Sequence, residues 1–259
     1  MVYRLLIENL SVTLTDAERR FTLDAGNWSV DAGEVIGLTG PSGTGKTLLL
    51  ELLGLLRAPD GGGYKAVPTA DSAGTLQDFG GYWHSRNARA SCAAVRARFF
   101  GYVPQTGGLL PFLSVTENVA LSQQIAGRED AVWLKSLLGE LGLSDVAHLR
   151  PAALSMGQRQ RAAIARALAH RPFCVIADEP TAALDPENAL TAMRLLIDAA
   201  REGGSATLLS SHDVTTLAQF PMRRMALSIT SAPHAPDVVS TLSPQQAVQA
   251  EAAPEEARV

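Results

Sequence analysis

A chain of 259 residues has room for one large domain or two small ones, and 46% hydrophobic with 19% charged residues is an ordinary globular composition. The net charge of −4 excludes the whole-chain basic footprint that marks a nucleic-acid binder. No run of 18 or more apolar residues occurs, and Glu8 interrupts the N-terminal stretch too early for a signal peptide, so the sequence predicts a chain that does not cross a membrane by itself.

Residues 1 to about 40 alternate in the manner of strands, with 23–30 expected to pair back on the first segment. The apolar run 34–39 reads as a buried strand and 47–56 as a leucine-rich helix. Between them stands Gly40-Pro41-Ser42-Gly43-Thr44-Gly45-Lys46-Thr47, a G-x-x-x-x-G-K-[ST] pattern that ordinary composition yields by chance only about once in a hundred. Its glycines let the backbone curl around a phosphate with successive N–H groups turned inward. Lys46 supplies a mobile point charge for β- and γ-phosphates, and the Thr47 hydroxyl suits Mg²⁺. Only three of the 22 basic residues are lysines, and one of them sits in this loop.

From 59 to about 89 the Gly-, Pro- and Ser-rich sequence predicts turns with one short strand. Residues 98–103 look like a further strand ending at Pro104-Gln105. Across 115–143 the chain turns helical, with Leu134, Leu137, Leu138 and Leu141 at core-packing spacing. Leu154-Ser155-Met156-Gly157-Gln158 opens another helix, reaching about His170, whose N-terminal dipole favours an anion. The apolar runs 173–177 and 206–210 read as parallel strands buried on both faces. The first leads into Asp178-Glu179, the second into Ser211-His212-Asp213. The two cysteines, Cys92 and Cys174, form no disulfide framework and fit a reducing compartment, Cys174 as a small buried hydrophobe. After about Ser231 the composition shifts to Ala, Pro, Gln and Glu, and the last fifteen residues are expected to stay disordered.

Taken together, from about Leu6 to Met225, the chain resembles the nucleotide-binding subunit of an ATP-binding cassette (ABC) transporter. Beside the phosphate loop, Gln105 resembles the family's Q-loop glutamine, residues 154–158 its signature, and Asp178-Glu179 its Walker B pair. Ala183-Leu184-Asp185 resembles the D-loop, and His212 the switch histidine. The resemblance implies an α/β P-loop NTPase of ABC type, a parallel core sheet with an antiparallel β subdomain and an α-helical subdomain. The ATPase domain would span 1–230, its core at about 1–104 and 158–230 and its helical part at about 105–157, before a tail at 231–259.

The implied roles make chemical sense where they fall. Asp178, ending a buried strand, is placed to hold Mg²⁺ through water. Glu179, on the opposite side of the extended chain, would polarise the attacking water, with His212 holding both in geometry; the plainer reading of two adjacent acids is a solvated strand end. Gln105 would sense Mg²⁺ and γ-phosphate. Ser155, the Gly157 N–H and Gln158 would grip the γ-phosphate of ATP on another subunit, so that a monomer carries two half-sites, and Asp185 would couple one site to its twin. Two departures stand out: Met156 replaces a second glycine of the signature, and Leu14 replaces the usual adenine-stacking aromatic, unless Phe21 substitutes.

The resemblance therefore implies an ATP-binding and hydrolysing transporter subunit with ATP and Mg²⁺ as ligands. It would dimerise with a second copy of itself or a homologous cassette and drive transmembrane permease subunits from the cytoplasmic face of the plasma membrane, as a peripheral protein without a nucleic-acid partner. Two alternatives stay open: transmembrane signalling in envelope remodelling or division, and a nucleotide-binding module with impaired hydrolysis. Residues 109–111, 115–119 and 178–185 are similar to the lipoprotein-releasing and macrolide-export ATPases and to their cell-division relative.

Overall fold

The structure, a computed structural model, describes residues 3–16, 19–69, 74–231 and 237–245. Among these, eleven strands form one mixed sheet. Its antiparallel half is built on β1 (Tyr3–Thr15), where Tyr3, Leu5 and Ile7 point inward at alternate positions. Against β1 pair β2 (Arg20–Asp24), β3 (Trp28–Val30) and β5 (Gly61–Pro68). The return of 23–30 onto the first segment is therefore observed. A two-residue strand, β6 (Gln77–Asp78), extends the edge beyond β5.

The parallel half contains β4 (Val35–Thr39), β7 (Phe100–Val103), β8 (Cys174–Ala177), β9 (Ala206–Ser210) and β10 (Arg223–Ile229), running in the order β10, β4, β9, β8, β7. Every residue of β4, β8 and β9 is buried, as continuous apolar runs demand when helices cover both faces. One further strand, β11 (Asp237–Pro244), lies antiparallel to β10 and parallel to β2, joining the two halves.

Seven α-helices cover the sheet among the described residues: α1 (Lys46–Leu53), α2 (Ala88–Phe99), α3 (Val115–Ala126), α4 (Ala131–Glu140), α5 (Met156–Leu168), α6 (Pro186–Glu202) and α7 (Val214–Ala218). α1 carries Leu49, Leu50, Leu52 and Leu53 into a core shared with Leu5, Ile7 and Tyr64. Each such leucine contributes roughly 2 kcal/mol by leaving water. A second core gathers Val119, Leu137, Leu141, Ile164, Leu196 and Leu209 from the helical part and the neighbouring strands.

Three segments differ from the sequence reading. Residues 59–89 hold an eight-residue strand, β5, rather than turns with one short strand. Its glycines belong to a bulge against β1, where a side chain on Gly62 (φ 68) would come within 2.1 Å of the Asn9 carbonyl oxygen. The strand expected at 98–103 begins only at Phe100, because α2 runs to Phe99. α2 buries only Cys92, so it lacks the apolar stripe that betrays a helix in sequence. Finally, the region after Ser231 contributes β11. The last fifteen residues, expected to be disordered, lie outside the described residues apart from Gln245.

Candidate functional site

Because β7, β8, β9 and β4 are adjacent and parallel, the loops leaving their carboxyl ends meet at one edge of the sheet. There the loop 40–45 leaves β4, Gln105 follows β7, Asp178 and Glu179 follow β8, and His212 follows β9. Gly40 (φ 137), Gly43 (φ 80) and Gly45 (φ 92) adopt backbone angles closed to most side chains. At Gly40 an added Cβ would lie 2.4 Å from the Leu227 carbonyl oxygen, so only hydrogen fits. The buried Lys46 Nζ donates to the carbonyl oxygens of Gly40 (2.8 Å) and Pro41 (3.1 Å), and the Thr44 hydroxyl donates to Pro41 O (2.9 Å). Burial lowers the Lys46 pKa, while the carboxylates of Glu179 and Asp178 oppose that shift.

An open cleft of about 460 Å³ runs from Leu14 and Phe21 past Gly45, Lys46 and Thr47 to Glu179 and His212. Leu14 and Phe21 are cross-strand partners at its entrance. The Phe21 ring packs against the loop: a Cβ on Gly45 would stand 3.2 Å from it.

At the other end the two carboxylates are held differently. Asp178 is buried, its Oδ1 accepting from the Ser210 hydroxyl at 2.7 Å and its own N–H donating to Val103 O. Glu179 lies in the left-handed region (φ 47), so the expected alternation across an extended chain does not apply: β8 ends at Ala177 and the backbone turns. That turn is fixed by the Glu179 N–H donating to Ser210 Oγ at 2.9 Å. Glu179 Oε1 is in contact with His212 Nε2, and Glu179 Oε2 accepts from Gln105 Nε2 at 3.4 Å. The structure thus joins Gln105, Glu179 and His212 at one point. Ser210, which bridges both acidic residues, was not a candidate from sequence. Its one signal was a hydroxyl in an otherwise apolar strand, and Thr207 in the same strand shares that signal.

Ser155, Gly157, Gln158 and Asp185 do not line this cleft, and neither do Gln105 and the buried Asp178, which adjoin its Glu179. Ser155 caps α5 in a reciprocal box with Gln158: its N–H donates to Gln158 Oε1 at 2.9 Å and its hydroxyl accepts from Gln158 N–H at 3.2 Å. The exposed Met156 side chain leaves the helix mouth unpacked by the protein's own core. Asp185 caps α6 through Asn188, whose side-chain and backbone donors hold its carboxyl below the ordinary carboxylate range. Asn188 Oδ1 in turn lies 3.5 Å from where a Gly157 Cβ would stand, so the α5 and α6 mouths adjoin on one surface.

The donor set suits a Mg²⁺–phosphate ligand. Mg²⁺ is held typically by one or two protein oxygens together with phosphate, and the Thr47 hydroxyl and Asp178 supply that few. Among the described residues no group of three or more His, Cys, Asp or Glu side chains forms a metal cage, and no helix is long and apolar enough to cross a membrane.

A glycine loop entering a helix, a lysine folded into that loop, and paired carboxylates at the end of a neighbouring parallel strand define a P-loop nucleotide-binding ATPase. Within that class the chain belongs to the ABC transporter family, whose profile matches residues 23–182. It is 37% identical to the lipoprotein-releasing system ATP-binding protein LolD 2 of Caulobacter vibrioides, over 83% of this chain and 93% of that one. It is 39% identical to LolD of Paramagnetospirillum magneticum, over 74% and 80%. The dimeric post-hydrolysis state of the ATP-binding cassette MJ0796, bound to ADP and Pi, superposes with a TM-score of 0.70 at 27% identity, covering 86% of this chain and 93% of that one. The chain is thus an ATP-binding subunit of an ABC transporter, and an ATPase.

Proposed function

We propose that the cleft between Leu14 and His212 holds ATP with Mg²⁺ and that Glu179 is the general base for its hydrolysis. The meeting of Gln105 and His212 on the Glu179 carboxylate, across the cleft from Lys46, is the observation that carries this reading. In it, the N–H groups of residues 40–47 bind the phosphates, and Lys46 leaves its loop carbonyls to pair with the β- and γ-phosphates. Bound Mg²⁺ supplies neutralisation of the charge that develops on the phosphoryl oxygens. Thr47, Asp178 and Gln105 are the residues that would hold it. Glu179 takes the proton of the attacking water, and His212 and Gln105 fix that carboxylate's position. Leu14 and Phe21 receive the base.

Ser155, Gly157 and Gln158 lie outside the cleft because they complete the site of a second cassette, a copy of this chain or a homologue. The α5 N-terminus meets the γ-phosphate bound there, and Asp185 relays between the two sites. The ATPase domain, assigned at 1–230 with a core at about 1–104 and 158–230 and a helical part at about 105–157, extends on this reading to Gln245, because β11 fills the gap between β2 and β10. Kinship with two lipoprotein-releasing ATP-binding proteins supports a chain peripheral to the cytoplasmic face of the plasma membrane. There it would drive a permease that extracts a lipid-modified cargo.

Purifying the tagged chain from detergent-solubilised membranes of its host and identifying its companions by mass spectrometry tests the assignment. A stoichiometric polytopic membrane protein is expected. Soluble companions only, or none, would contradict it.

A further inference from the structure

We propose that β11 braces the phosphate loop from behind and that Ser240 is a positioning residue for nucleotide binding. This rests on residues 40–47 being the nucleotide loop. Ser240 is fully buried, and a buried hydroxyl needs a partner. Its Oγ donates to the carbonyl oxygen of Thr44 at 2.7 Å, inside the loop. Because a trans peptide is planar, its C=O and N–H point in opposite directions. Fixing the Thr44 carbonyl on β11 therefore turns the Gly45 N–H away from β11, and Gly45 lines the cleft. The backbone at Gly45 (φ 92) has no side chain to hold that orientation, so the distant hydroxyl supplies it.

A second contact lies at the loop's other end. Thr39, the last residue of β4, donates its hydroxyl to Gln245 Oε1 at 3.0 Å, and the Gln245 N–H donates to Arg224 O at 3.0 Å. Gln245, the residue after β11, and Ser240 within it therefore hold the chain just before Gly40 and again at Thr44. The brace is itself fixed on both sides, since Ser240 is in register with Ile229 of β10 and Leu23 of β2. Leu23 reaches the loop as well, 3.6 Å from where a Gly45 Cβ would stand.

The test is titration of the purified full chain with a fluorescent ADP analogue, alongside steady-state ATPase kinetics. Ser240→Ala leaves the Thr44 carbonyl unpaired and should weaken analogue binding about tenfold. KM for ATP should rise similarly, with kcat within about twofold, because the lost interaction serves ground and transition states alike. Ser240→Thr, which keeps the hydroxyl, should restore most of the affinity, a rescue that bulk destabilisation does not give. Ser243→Ala, at an exposed position of the same strand, should bind as the wild type does. Wild-type affinity in a folded Ser240→Ala chain would overturn the brace. Should Ser240→Ala lose its secondary structure by circular dichroism, Ser240→Cys keeps the volume with a feeble donor. Weakened binding there supports the proposal, and unchanged binding overturns it. Failure of the underlying reading looks different: Lys46→Ala would then bind the analogue as tightly as the wild type.

Discussion

The hydroxyl of Ser210 lies 2.7 Å from Asp178 Oδ1 and 2.9 Å from the Glu179 backbone nitrogen, so one side chain of β9 orients both acidic residues at the end of β8. Ser210 is fully buried and Asp178 nearly so. Removing the hydroxyl leaves a buried carboxylate oxygen and the N–H of a left-handed residue without partners.

Ser210→Ala should therefore cost roughly 1–3 kcal/mol of stability, seen as a lower midpoint in urea. It should also lower kcat about tenfold by loosening the Glu179 backbone. A variant turning over at the wild-type rate would show that β9 does not position these acids.

Leu14 and Phe21 divide the entrance of the cleft unequally. Leu14 is 38% exposed, whereas Phe21 already packs on Gly45. Leu14→Tyr should tighten ATP binding, by up to about tenfold for one new ring stacked on the base. Phe21→Ala should weaken binding more than Leu14→Ala does. Calorimetric titration with ATP checks both orders, and no gain in Leu14→Tyr would remove Leu14 from the base site.

His170 is a built-in acid sensitivity. Burial holds its pKa at about 4 instead of the usual 6.5, against the Phe100 carbonyl that its Nε2 contacts at 3.1 Å and with help from the charge of Arg128. The unfolded chain takes up a proton near pH 6.5 that the folded chain refuses until about pH 4. Its contribution is thus complete above pH 6.5 and is lost as pH falls towards 4. Between pH 7 and 5 it should remove about 2 kcal/mol of stability. Urea unfolding of the wild type and of His170→Gln at both values measures this. The variant should lose less stability over that interval, and parallel losses would assign the acid sensitivity elsewhere.

The residues gathered around the candidate cleft were legible to different degrees: the loop 40–47 and Asp178-Glu179 stand out as local patterns, whereas His212 stands out only by its place after the strand and among the other motifs. The buried strands β4, β8 and β9 were legible too, since burial on both faces leaves unbroken apolar runs. Ser210 and Ser240 were not legible. Their partners lie 32 and 196 residues away in sequence, and a serine in a strand carries no mark of what it faces. α2 escaped because its Ala- and Arg-rich sequence buries little, and β11 because Ala, Pro and Gln around it resemble a tail. The left-handed turn at Glu179 escaped because a glutamate rarely adopts it.

On the proposed reading each site is completed by two chains, with Lys46 and Glu179 from one and Ser155 and Gly157 from the other. The most direct measurement is the solution mass of Glu179→Gln by light scattering, with and without ATP and Mg²⁺. A monomer is expected without nucleotide and a doubled mass with ATP and Mg²⁺, because ATP that is not hydrolysed holds the halves together. A chain that stays monomeric at saturating ATP and Mg²⁺ would contradict it.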